Sequence, residues 1–172
     1  MINYLLQIVA LVAYGVLLVT WPNRKKKLVA SLGEQVLPLT STQNRFMVPV
    51  LVIAPALIFF QWFRNFGLMI NAVLCGVALL AAELVIRERV LGAMAGVYKN
   101  GLVVDGRQLL FSEIHALPTL SYEDELEDRD EFYRRTLEIV TENAGTLRVG
   151  FATVAERDGA VEAICKLEPR LR

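Results

Sequence analysis

Catalysis needs titratable or nucleophilic side chains within reach of one another, and this chain offers few. Its 172 residues hold one histidine, His115, and two cysteines, Cys75 and Cys165. With no second histidine or cysteine pair beside it, His115 belongs to no metal-ligand spacing and reads as a surface or hydrogen-bonded structural residue rather than a catalytic base. The cysteines fall in an apolar run and in the C-terminal stretch. They are expected as free thiols behaving as small hydrophobes, with no disulfide framework. Neither a glycine-rich phosphate loop nor a GxSxG nucleophile elbow occurs. The run EDELEDRDE, residues 123 to 131, holds seven acids and one arginine but lacks the spacing of a calcium loop. It reads as a solvated loop, with a protein-docking segment as the alternative. No enzyme, cofactor or metal is expected on these grounds. The polar groups that stand out are Asn71 and Glu83, set inside an apolar run, and the four consecutive cations Arg24, Lys25, Lys26 and Lys27. A carboxylate inside a membrane span is functional by default, but Glu83 precedes Arg87 by four residues, so a local ion pair is the simpler reading.

The elements that must carry these residues are apolar. The chain is 55% hydrophobic with mean hydropathy +0.44, more than an ordinary soluble domain of this length shows. Its zero net charge offers no basis for nucleic-acid binding. Three runs, near residues 2–21, 46–63 and 67–86, are close to the roughly 20 residues that cross a hydrocarbon core as a helix. The first has no positive residues before it, unlike a cleaved signal, and reads as a retained span with Tyr4 and Trp21 near its ends and Pro22 stopping it. The NRKKK cluster after it marks the cytoplasmic side. The N-terminus is then outside, residues 22–45 form a basic cytoplasmic loop, Arg64 and Asn65 make the outer turn, and Arg87 and Arg89 return the chain to the cytoplasm.

Within that loop, Leu28, Val29, Leu32, Val36 and Leu37 suggest an apolar stripe lying on the lipid surface, and Arg24, Lys25, Lys26 and Lys27 are candidate contacts for anionic lipid headgroups. Pro49 and Pro55 predict a kink in the second span. Asn71 is a candidate for a hydrogen bond across helices, and Ala72 with Gly76 for a close helix contact.

After Arg89 the pattern changes to short apolar runs. Asn100-Gly101 and Asp105-Gly106 are favoured hairpin turns, which places strands near 93–99, 102–104 and 107–111. Further strands are expected at 116–122, 132–140 and 146–151, the last two joined by a turn at Asn143-Ala144-Gly145. A capping box of Thr153 and Glu156 opens a final helix whose inward residues are Val154, Val161, Ile164 and Cys165, and Pro169 ends it. Gly96-Val97-Tyr98 with Asn100-Gly101-Leu102, then Leu110-Phe111 with Glu113-Ile114, and the helix from Thr153 together resemble the bacterial pleckstrin-homology-like domains of small multi-span membrane proteins. The resemblance covers about residues 90–168 and implies a partly open antiparallel β-barrel capped by a C-terminal helix, a binding or scaffolding module without an activity. Lys99 alone at the first hairpin turn is too little charge to clamp a multiply phosphorylated inositide.

The resulting expectation is a membrane protein of three transmembrane helices, residues 1–89, followed by a cytoplasmic α+β domain, residues 90–172, in a bacterial inner membrane. Its partners would be the lipid bilayer and a protein on the cytoplasmic side, with self-association through the spans as a further option. The alternative is a subunit of an oligomeric transport or channel assembly in which Asn71, Glu83 and the prolines line a path.

Overall fold

The computed structural model describes residues 2–41, 49–64, 66–122, 130–142 and 144–171, with the side chains at 121 and 122 also left aside. Arg45 and the start of the second expected span, Asn65 of the outer turn, Asn143 and the acidic residues 123–129 lie outside the described residues. The chain divides into two compact units, one of Met1–Lys26 with Asn44–Val90 and one of Lys27–Gln43 with Leu91–Arg172.

The first unit is helical. Helices α1 (Ile2–Leu32) and α3 (Leu68–Gly92) are each long and apolar enough to cross a membrane. Helix α2 (Val50–Phe60) has 11 residues, about 16 Å at 1.5 Å per residue, so it falls short of a hydrocarbon core of about 30 Å. Two helices, rather than three, therefore meet the length requirement among the described residues. Pro22 does not stop α1, which runs on to Leu32. An apolar helix in a membrane tolerates an interior proline, and near it the Thr20 hydroxyl donates to the Leu17 carbonyl at 3.0 Å. Pro49 starts α2 rather than kinking it: its carbonyl accepts from the Val52 and Ile53 amides at 3.0 and 2.9 Å.

The second unit holds two antiparallel sheets. The four-stranded sheet runs in order β1 (Gln35–Pro38), β2 (Gly96–Tyr98), β3 (Gly101–Val104) and β4 (Arg107–Leu110). The three-stranded sheet is β5 (Ile114–Ala116), β6 (Thr136–Thr141) and β7 (Gly145–Gly150). The expected strand at 116–122 is instead a 3-10 turn, Pro118–Tyr122, and residues 131–134 form a single helical turn, α4 (Glu131–Arg134), before β6. The Asp105-Gly106 hairpin is as expected, with both residues at positive φ (49° and 68°). The preceding turn is displaced by one residue. Tyr98 pairs with Gly101, so Lys99 and Asn100 form the turn and Gly101 opens β3. Its role there is close approach, since a Cβ on Gly101 would lie 2.3 Å from the Leu109 carbonyl oxygen.

Strand β1 was not expected. Instead of lying on lipid, residues 28–41 are built into this unit. Leu28 and Leu32 are buried, Gly33 takes positive φ to end α1, and Leu37 packs on the core. The Asn100 amide donates to the Leu32 carbonyl and the Lys99 amide to the Glu34 carbonyl, both at 3.0 Å. An antiparallel ladder supplies backbone partners that a surface connector lacks, which is why β1 wins. Lys99 also pairs with Glu34 at 2.7 Å and holds that carboxyl below its ordinary range, on fully exposed side chains that add little to stability. The Tyr98 phenol donates to the Met94 carbonyl at 2.8 Å, and burial raises its pKa.

The core joins Val97, Leu102 and Leu109 of the first sheet with Ile114, Leu137, Ile139 and Val149 of the second, closed by Ala160 and Ile164 of α5 (Val154–Leu167). Alternate burial along β6 sends Leu137 and Ile139 inward. The buried face of α5 is Arg157, Ala160 and Ile164, with Val161 and Leu167 packed beside them. Val154 and Cys165, both expected inside, are half-exposed.

Candidate functional site

In the helical unit much of the large apolar surface lies outside. Among the described residues one interior cluster is mainly small, Ala10 of α1, Ala54 of α2, and Cys75, Ala78 and Ala82 of α3 with Ile58, though Leu6, Leu17 and Leu79 pack against it and Val85 and Ile86 of α3 are also buried. Large apolar side chains point outward: Val12 (61% exposed) and Val19 (74%) on α1, Val52 (71%) on α2, and Met69 (85%) and Leu80 (66%) on α3. Small residues let helix backbones approach, and an exterior this apolar is unfavourable in water but not in hydrocarbon. The contact stripe of α3 is Asn71, Cys75, Ala78 and Ala82, one residue away from the Ala72 and Gly76 expected from spacing; Ala72 is exposed and Gly76 has nothing within 4 Å of a Cβ position.

Polar groups are also buried in this unit. Gln7, Gln61 and Asn71 are each at most 2% exposed. Gln61 donates to the Leu57 carbonyl at 3.2 Å and accepts from the Cys75 thiol at 3.6 Å. Both amide atoms of Asn71 and the Oε1 of Gln7 are buried without a hydrogen-bond partner among the described residues. Among the described residues Asn71 thus makes no side-chain hydrogen bond across helices. The Tyr14 hydroxyl donates to the Leu51 carbonyl and ties α1 to α2.

Glu83 is bound by Arg24 of α1, through Nη1 to Oε1, and not by the local partner Arg87. Helical spacing cannot reveal a partner 59 residues away, which is why the sequence reading missed it. A turn from this pair, the Arg89 guanidinium lies 5.9 Å from the Trp21 ring centroid. Of the four cations expected on lipid, Arg24 is thus engaged with Glu83, while Lys25, Lys26 and Lys27 are exposed.

In the sheet unit His115 is exposed and lines a cleft of about 340 Å3 with Leu117, Leu120 and Arg170. Arg170 donates to the Phe111 carbonyl and pairs with Glu168 at 2.8 Å. Among the described residues of that lining, none beside His115 is a nucleophile or a carboxylate. Among the described residues no group of three His, Cys, Asp or Glu is placed to hold a metal, and no disulfide involves Cys75 or Cys165. The capping residue Glu156 has a further role that the motif alone does not indicate. The Glu156 amide donates to Thr153 Oγ1 at 3.1 Å, and its carboxylate accepts from the Ala152 amide at 3.3 Å and from both the amide (2.9 Å) and hydroxyl of Thr40. It therefore joins the segment after β1 to the start of α5. Comparison with known proteins finds no matching family model, no matching curated protein and no matching solved structure.

Proposed function

We propose that the chain is a membrane-anchored interaction module: spans that fix a pleckstrin-homology-like domain at the cytoplasmic face of a bacterial inner membrane, where it binds a protein partner. The observation that carries the anchor is the row of large apolar side chains exposed along α1, α2 and α3, around an interior that includes many small and polar residues. A soluble core helix would be mostly buried, whereas the apolar windows of α1 and α3 are 17% and 33% buried. A cleaved signal is disfavoured because α1 packs against α2 and α3 and its last turn is built into the sheet unit.

Counting crossings supports three spans. Strand β1 pairs with β2, so the chain leaves one side of the membrane after residue 38 and must be back on that side by residue 96. If α3 crosses once, the segment holding α2 crosses in the opposite sense. The basic residues 24–27 favour the cytoplasm as the shared side, and Lys25, Lys26 and Lys27, all exposed, are available to anionic lipid. Two antiparallel meanders with α5 over their core are what supports the barrel-with-helix reading. A binding role fits better than a transport path because Glu83 is already neutralised by Arg24.

The test is made on membranes carrying the full chain. Alkaline carbonate washing is expected to leave the protein in the membrane. Native electrophoresis of the solubilised protein is expected to show a complex that a chain truncated after Gly92 no longer forms. Release by carbonate overturns the anchor, and migration of the full chain at its own mass overturns the module.

A further inference from the structure

The outward face of α3 ends on a cation. Val73, Val77, Leu80, Leu84 and Arg87 follow one another at spacings of four, three, four and three residues, which keeps them in one column of a helix. All are exposed: Val73 64%, Val77 56%, Leu80 66% and Leu84 62%, with Arg87 also in the exposed class. Measured along the axis, Arg87 to Val77 is about 15 Å, the hydrocarbon thickness of one leaflet. An acyl chain lying on Leu84, Leu80 and Val77 would bring its phosphate level with the Arg87 guanidinium.

We infer that this column and Arg87 form a headgroup site for an anionic glycerophospholipid of the leaflet into which α3 runs. The inference rests on the reading of α3 as a membrane span. Arg87 is suited to the task because no ion pair holds it among the described residues: Glu83, one turn earlier, gives its Oε1 to Arg24 and acts on Arg87 through charge alone, its Oε2 being without a hydrogen-bond partner, and Arg89 lies beside Trp21. A guanidinium presents paired donors that match a phosphate. The surroundings select a net negative headgroup over a zwitterionic one. Residues 21–26 and 83–90 carry Arg24, Lys25, Lys26, Arg87 and Arg89, five cations, against Glu83 and Glu88, two acids. A choline or ethanolamine group brings its own cation into that excess, whereas a glycerol headgroup does not. The opposite end of α3 has no such site, since Arg64 lies 5.9 Å from the Phe66 ring centroid and no further cation accompanies it among the described residues 61–70. The exposed cluster of Lys25, Lys26 and Lys27 attracts anionic lipid without a column beneath each residue. It predicts a diffuse excess, whereas Arg87 predicts a saturable site.

The experiment uses the full chain in phosphatidylcholine vesicles, with spin-labelled phosphatidylglycerol or spin-labelled phosphatidylcholine as probe. The motionally restricted fraction reports lipid held against the protein. Wild type is expected to hold phosphatidylglycerol about fivefold more tightly than phosphatidylcholine at its tightest site, the effect of one cation at the headgroup level. Arg87→Gln is expected to abolish that preference, and Arg87→Lys to keep a reduced one because the charge remains. The triple change Lys25→Gln, Lys26→Gln and Lys27→Gln is expected to lower the diffuse excess and leave the tight site. Soluble glycerol phosphate is expected not to compete, since it lacks the acyl chains. Overturning results are no preference in wild type, a preference unchanged in Arg87→Gln, loss in the triple variant alone, or displacement by glycerol phosphate. Failure of the membrane reading gives a different outcome, no restricted fraction with either probe.

Discussion

Ile164 and Val161 are three residues apart on α5 and have different environments. Ile164 is fully buried in the core, whereas Val161 is half-exposed beside it. An aspartate at 164 would place an unpaired carboxylate among Val97, Leu137 and Val149, at a cost of several kcal/mol and comparable with the whole stability of a domain this small. Thermal unfolding of the detergent-solubilised chain, followed by circular dichroism in the strand region, is expected to lose its cooperative transition in Ile164→Asp and to retain it at a lower midpoint in Val161→Asp. Equal effects would mean that α5 does not present the face described. This helix and its cap are legible in the sequence but its exact face is not, because Arg157 and Ala160 carry no strong apolar signal beside Val154 and Cys165. Lone residues were read well where their chemistry is local, as at Asp105-Gly106, and poorly where the partner is remote, as for Glu83 with Arg24 and Glu156 with Thr40.

The element that most changes the picture is β1. Four residues, Gln35–Pro38, between a basic cluster and an apolar run show no alternation strong enough to announce a strand, and their partner β2 begins about 60 residues later in sequence. The hairpins β2–β3, β3–β4 and β6–β7 were legible because each closes on itself within a few residues. Without β1 the sheet loses an outer strand and α5 loses contacts, since Leu37 and Leu39 pack on the core and Thr40 binds Glu156. Residues 92–172 alone are therefore expected to lack a cooperative melt. Pro38 lies opposite Gly96, and the Leu39 amide donates to the Ala95 carbonyl at 3.1 Å, so the two ends of the intervening segment are adjacent. A chain in which residues 27–41 are joined to residues 93–172 by a short Gly-Ser linker is expected to fold cooperatively, because closing so short a gap costs little entropy. A cooperative melt of residues 92–172 alone, or none in the joined form, would contradict the assignment of β1.

At the scale of the molecule, residues 27–43 and 91–172 form one unit and residues 1–26 and 44–90 the other; the proposed topology makes the segment between residues 43 and 91 an excursion into the membrane. Composition made the two long apolar helices legible. The length of α2, the passage of α1 through Pro22 and the shared sheet were not, because each depends on packing between segments distant in sequence. The central claim is that β1 and α5 share one side of the membrane and the α2–α3 turn lies on the other. The most direct measurement is labelling with a membrane-impermeant maleimide in intact spheroplasts and in inverted vesicles. It uses a chain in which Cys75 and Cys165 are replaced by alanine and a single cysteine is placed by Val36→Cys, Glu162→Cys or Arg64→Cys; all three positions are exposed. The expected result is labelling of Arg64→Cys in spheroplasts only and of Val36→Cys and Glu162→Cys in inverted vesicles only. Labelling of Val36→Cys and Glu162→Cys from opposite sides, or of all three from the same side, would contradict it.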